Sequence, residues 1–156
     1  MSAKSQFFQK LEATRQPPPP AKNKGQADIA AFRLQMEKMY ENIQQWLEGS
    51  DLSIKSRDIP IVELLLGNSS FSVTEITVIL DNRSLNFTPL YLYGQGVTGC
   101  TEVSLTLEGQ QSALYRLFMG SGNAVGWTYA QMNTLDSKER AFDEESFFGM
   151  LNHLIP

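Results

Sequence analysis

The chain has 156 residues, 42% hydrophobic, 10% aromatic and 19% charged, a composition that excludes wholesale disorder, a collagen-like fibre and a disulfide-rich miniprotein. A chain of this length can bury roughly 68–70% of its unfolded surface, so one core is expected. The formal charge of −4 is unevenly placed: Lys4, Lys10, Arg15, Lys22 and Lys24 stand against Glu12 alone, a net of +4 over residues 1–27 and −8 over residues 28–156. An acidic body argues against nucleic-acid binding, which depends on cationic side chains neutralising phosphates, and permits a basic protein partner steered by complementary fields.

Residues 1–15 read as a short amphipathic helix, a basic arm with Phe7, Phe8 and Leu11 on one side and Lys4, Lys10 and Glu12 on the other. Pro17 to Pro20 follow, favouring extended polyproline II, so residues 16–27 are expected to be a Pro-rich linker. An apolar knob on a spacer is the form of a docking peptide that lies in a partner's groove. Folding back onto its own domain is the competing reading.

A single domain is expected over residues 28–156. Asp28 is a suitable N-cap for a helix running to Glu48 and closed by Gly49. Ile29, Phe32, Met36, Met39, Ile43 and Trp46 recur at alternating steps of three and four, a heptad seam. Tyr40 and Leu47 widen the stripe as packing on a sheet requires, and a homodimer through helix 28–48 remains the alternative use. Beyond Pro60, residues 61–67 read as a short helix stopped by Gly67, with a strand as the competitor.

From Phe71 the pattern turns to β. Strands are expected over residues 71–80, 85–93, 101–108, 113–119 and 125–132, joined by turns rich in Gly, Asn and Ser. Pro89 suggests an edge or a bulge in the second of them. Val103, Leu105 and Leu107 alternate with Glu102, Ser104 and Thr106, which predicts one wet face. Asp143, Glu144 and Glu145 then open a C-terminal helix carrying Phe147, Phe148, Met150, Leu151 and Leu154. The fold class expected is therefore α+β, a five-stranded antiparallel meander with a long N-terminal helix and a short C-terminal helix packed on one face.

Motifs with chemistry are sparse. Gly94 to Gly99 matches G-x-G-x-x-G, but the residues after it alternate as a strand, whereas a dinucleotide site needs a helix N-terminus there. A flexible glycine-rich hairpin loop is the better account. One cysteine, Cys100, and one histidine, His153, fall short of a zinc ligand set, and no G-x-S-x-G elbow supports a triad. Cys100 has no cationic neighbour in sequence to lower its pKa and reads as a small buried hydrophobe. Trp127 and Tyr129 share one face of the last expected strand and are core residues or interface anchors. No run of apolar residues suits a signal peptide or a membrane span, and a single cysteine suits a reducing compartment, so a cytoplasmic location is expected.

These readings predict no cofactor and no metal. The function expected is a non-enzymatic protein-binding module, a small inhibitor or immunity protein to a toxin, or a chaperone, of bacterial type, binding a cognate protein through its acidic body. The alternative is an assembly subunit that self-associates through helix 28–48, with the arm docking on a neighbour. Phe7, Phe8, Leu11, Trp127 and Tyr129 are the candidate binding residues.

Overall fold

The computed structural model describes residues 3–15, 20–63, 69–94, 97–119, 126–132 and 140–155. Within these ranges the side chains of residues 10–15, 20–24, 69 and 97 fall outside the description. Among the described residues three helices, α1 (Ala3–Arg15), α2 (Pro20–Trp46) and α3 (Glu144–Leu151), accompany one antiparallel sheet with strands in sequence order. The strands are β1 (Ser53–Glu63), β2 (Ser69–Leu80), β3 (Arg83–Gly94), β4 (Val97–Leu107), β5 (Gln110–Met119), β6 (Trp127–Gln131) and β7 (Arg140–Ala141). The α+β class and the antiparallel meander stand, with seven strands in place of the five expected.

The two further strands lie at the edges. β1 absorbs Ile61, Val62 and Glu63, expected in a short helix, because eleven residues from Ser53↔Ile79 to Glu63↔Ser69 pair with β2. Ladder pairing and the β preference of Ile61 and Val62 outweigh the helical preference of Glu63, and Pro60 is tolerated because an edge strand can spare an N–H. The remainder of that expected helix, residues 64–67, lies outside the described residues. β7 is two residues long and pairs Thr128↔Ala141 and Tyr129↔Arg140.

A second correction concerns the linker. Residues 20–27 are helical, so α2 starts at Pro20 and not at Asp28, leaving 16–19 outside the described residues. Proline at a first helical position loses no hydrogen bond, since the N–H it lacks has no intrahelical partner. The heptad seam of α2 is spent within its own chain: Phe32, Met36, Met39 and Ile43 are buried in the same cluster as Ile76, Val78, Leu85, Phe87, Val103 and Leu117 of the sheet. The homodimer expected through helix 28–48 has no free seam to use.

Helix α3 begins as its sequence predicts. The Asp143 carboxylate accepts from the Ser146 backbone N–H at 2.9 Å and the Ser146 hydroxyl oxygen accepts from the Asp143 N–H at 2.8 Å, a reciprocal capping box. Its Phe147 packs among Trp46, Phe87 and Phe142, with ring centroids 5.3 to 6.5 Å away. The one-turn extension Asn152–Leu154 is tied to β3 where Arg83 donates to the Leu154 carbonyl at 2.7 Å. A guanidinium there complements the negative end of the helix.

Register irregularities shape the middle of the sheet. Pro89 stands at a bulge, between Pro89 and Tyr91, beyond the last β2–β3 pair at Phe87, so it has β4 on one side and a local edge on the other. β2 pairs with β3 only from Ile76↔Phe87 to Leu80↔Arg83, so the far half of the β1–β2 hairpin leaves its neighbour. The departure is spanned by side chains. Glu75 accepts from Thr88 at 2.7 Å and from Arg57 at 2.6 Å, and Glu63 accepts from the Tyr93 N–H at 3.3 Å. Glu63 and Glu75 are both buried, so each carboxylate depends on these donors to offset its desolvation. The wet face expected on β4 is only partly wet: Ser104 is buried after a bulge at Val103 and accepts from Gln111 at 2.8 Å.

Candidate protein-binding site

Phe7 and Phe8, neighbours along α1, meet edge to face at 6.0 Å between centroids, and the i, i+4 spacing places the Lys4 ammonium 5.9 Å from the Phe8 ring. They are 60% and 53% exposed. Most large aromatic side chains of the described body are instead buried or packed against its core. Leu11 belongs to α1 by its backbone, and its side chain lies outside the described residues. An exposed phenylalanine pair on a cationic helix can fill an apolar groove while its lysines meet carboxylates at the rim.

The other two expected anchors go elsewhere. Trp127 is 7% exposed and its ring lies 6.2 Å from Phe32 on α2, so it is core and cannot reach a partner. Tyr129 is half-buried and meets Tyr115 edge to face at 5.8 Å. These two tyrosines line a cavity of about 200 Å³ with Gln131, Arg140, Ser146 and Met150. His153 joins them through a 2.9 Å hydrogen bond between its Nε2 and the Tyr115 hydroxyl. Tyr115 and Arg140 escaped the sequence reading because the register of β5, β6 and the two-residue β7 is what assembles them.

The polar groups near the glycine-rich hairpin are used structurally. Residues 95 and 96 lie outside the described residues, and β4 begins at Val97, so a strand and not a helix follows the glycines. The Tyr93 hydroxyl donates to the Asp28 carboxylate, tying β3 to α2. Burial, then that bond and the charges of Asp28 and Glu63, push the Tyr93 hydroxyl up to about 12. Cys100 is fully buried, and burial pushes its thiol up against the opposing pull of Tyr91 and Arg116. A thiol held protonated is a poor nucleophile. Burial, helped by Cys100, likewise pushes Tyr91 up to about 12. The Tyr91 hydroxyl and Arg116 Nε have no hydrogen-bond partner of ordinary geometry among the described residues.

Among the described residues no group of three or more His, Cys, Asp and Glu could hold a metal ion. Among the described residues no helix is long and apolar enough to cross a membrane. Comparison with protein-family models, with curated proteins and with solved structures finds no match.

Proposed function

We propose that the chain is a non-enzymatic protein-binding module, a small inhibitor or chaperone of a cognate protein, that engages this partner through the basic aromatic helix α1. The observation that carries the reading is the exposure of Phe7 and Phe8 beside Lys4, on a helix whose apolar pair is not part of the core cluster. Aromatic residues are enriched where proteins meet, and exposed apolar patches mark such surfaces. The test is cross-linking in native lysate, comparing the full chain with a Phe7→Asp/Phe8→Asp variant. A discrete cross-linked species lost in the variant supports the reading. An identical cross-linking pattern from both sinks it.

One observation favours a second reading, assembly of copies by the arm. Asp143, Glu144 and Glu145 are exposed at the start of α3, one turn from Phe148, which is 39% exposed. That acidic and aromatic patch complements α1 in charge and polarity, and would equally receive a basic partner. Sedimentation separates the cases: a salt-sensitive self-association abolished by Phe7→Asp/Phe8→Asp favours copies of the chain, and a monomer at all concentrations favours a foreign partner.

A further inference from the structure

We infer that the outer edge of β1 is a strand-addition site for an extended segment of a partner protein that carries acidic side chains at alternate positions. β1 is the end strand of the sheet, paired with β2 on one side along all eleven of its residues. About half of its N–H and C=O groups therefore point away from β2 with no strand among the described residues to receive them, the arrangement that strand addition exploits. Its side chains are exposed from Lys55 to Asp58, and Val62 at the far end is 58% exposed.

The charges on the edge select the partner. Lys55 and Arg57 are two residues apart, so they share one face of the pleat, where they border a polar groove with Thr77, Asn86, Thr106 and Gln111. Thr77, Asn86 and Thr106 are already bonded to one another in a row across β2, β3 and β4, at 3.0 and 3.1 Å, which leaves the two cations to meet a newcomer. Arg57 gives only its Nε to Glu75, and its side chain is 74% exposed, so its other donors remain for a carboxylate on an added strand. Asp58 lies on the opposite face, where its carboxylate accepts from Thr74 at 3.3 Å, and so does not meet the acidic residues of the segment.

The same charges disfavour a second copy in the registers centred on residues 55–58. Antiparallel pairing about a two-fold axis perpendicular to the sheet places residues of like parity opposite one another. Centred on residue 55 it sets Lys55 against Lys55, on residue 56 Lys55 against Arg57, on residue 57 Arg57 against Arg57, and on residue 58 Asp58 against Asp58. Like charges directly opposite one another destabilise a pair of strands. Cationic side chains are a common device against edge-to-edge aggregation, and alternate glutamates convert that device into a selective contact.

The test uses the full-length, isotopically labelled protein and a short synthetic peptide alternating glutamate with valine, beside its lysine-for-glutamate counterpart. The expected result is that the acidic peptide alone shifts the amide resonances of residues 53–59 and slows their exchange with solvent. N-methylation of the peptide nitrogens that face β1 is expected to abolish this, because strand addition needs those donors. Lys55→Glu/Arg57→Glu should weaken binding by about tenfold, two reversed cross-strand pairs being worth of that order. Lys55→Glu alone, which leaves the Arg57 contact to Glu75 intact, should weaken it by about threefold and covers the case of a double variant that does not fold. Equal binding of both peptides, indifference to N-methylation, shifts confined to other strands, or self-association through β1 would each overturn the proposal. β1 and α1 are different elements, so the Phe7→Asp/Phe8→Asp experiment and this one fail independently.

Discussion

α2 seats closely on the sheet at Gly99, and Gly99→Ala probes that contact. Gly99 has φ +89°, and a Cβ added there would stand 3.1 Å from the Met119 Cβ and 3.2 Å from the Phe32 Cδ1. Two costs follow. A side chain at that φ carries backbone strain of about 1–3 kcal/mol, and a methyl forced between α2 and β5 carries an overpacking cost of about 1–3 kcal/mol. Gly109→Ala is the matched control, since Gly109 has φ +85° and a Cβ there would meet nothing within 4 Å. The strain is shared by the two variants and the clash belongs to one, so their difference in stability should be about 1–3 kcal/mol. Urea unfolding followed by tryptophan fluorescence measures it as a fall in midpoint at constant slope. A second arm adds Phe32→Leu to each variant: the smaller side chain should relieve Gly99→Ala and leave Gly109→Ala unaffected. Equal destabilisation by the two glycine replacements would show that the helix does not press on β4 at this point.

Four further outcomes are expected. Phe7→Asp/Phe8→Asp should leave the unfolding midpoint within about 0.5 kcal/mol of the parent, as exposed positions do; a large loss in calorimetry would mean that α1 packs on the body. Stability should fall as pH rises from about 10 to about 12, because Tyr91 and Tyr93 keep their protons in the folded chain after the unfolded chain has lost its own. Tyr93→Phe should flatten that fall in urea midpoints taken across the alkaline range, and an unchanged profile would refute the role given to its environment. The Cys100 thiol should resist an aromatic disulfide reagent in the native protein and react at once in denaturant, a contrast that a colorimetric assay reads directly. Asp143→Ala should cost about 1 kcal/mol by removing one side of the capping box, measurable as a lowered thermal midpoint.

Legibility tracked the range of the physics involved. The stripe from Phe32 to Ile43, the alternation in β4 and the acidic run from Asp143 to Glu145 are local patterns, and each points to the right element because burial of one face or charge at one helix end suffices to fix it. β1 was not legible: its residues 53–60 mix Ile with Lys, Ser, Arg and Asp, and become a strand because β2 supplies a full-length ladder. The start of α2 was misplaced because a proline run reads as extended, while its last member can also begin a helix.

The candidate sites divide in the same way. Phe7 and Phe8 stand out in the sequence as an aromatic pair on a short amphipathic helix, but that the pair is exposed and not folded back is decided only by the structure. Trp127 poses the same choice because aromatic residues in a strand serve core and surface alike, and only the approach of Phe32 decides between them. Lys55 and Arg57 carried no signal, for a charge pair at alternate positions acquires meaning only when the strand bearing it is the last in its sheet. Binding through an exposed helix and an unpaired edge, as proposed, would therefore show little of itself to motif searching. Motifs record side chains that converge on one reacting atom. Docking surfaces are made of what the fold leaves unpartnered, and that is known only once every other residue has found its place.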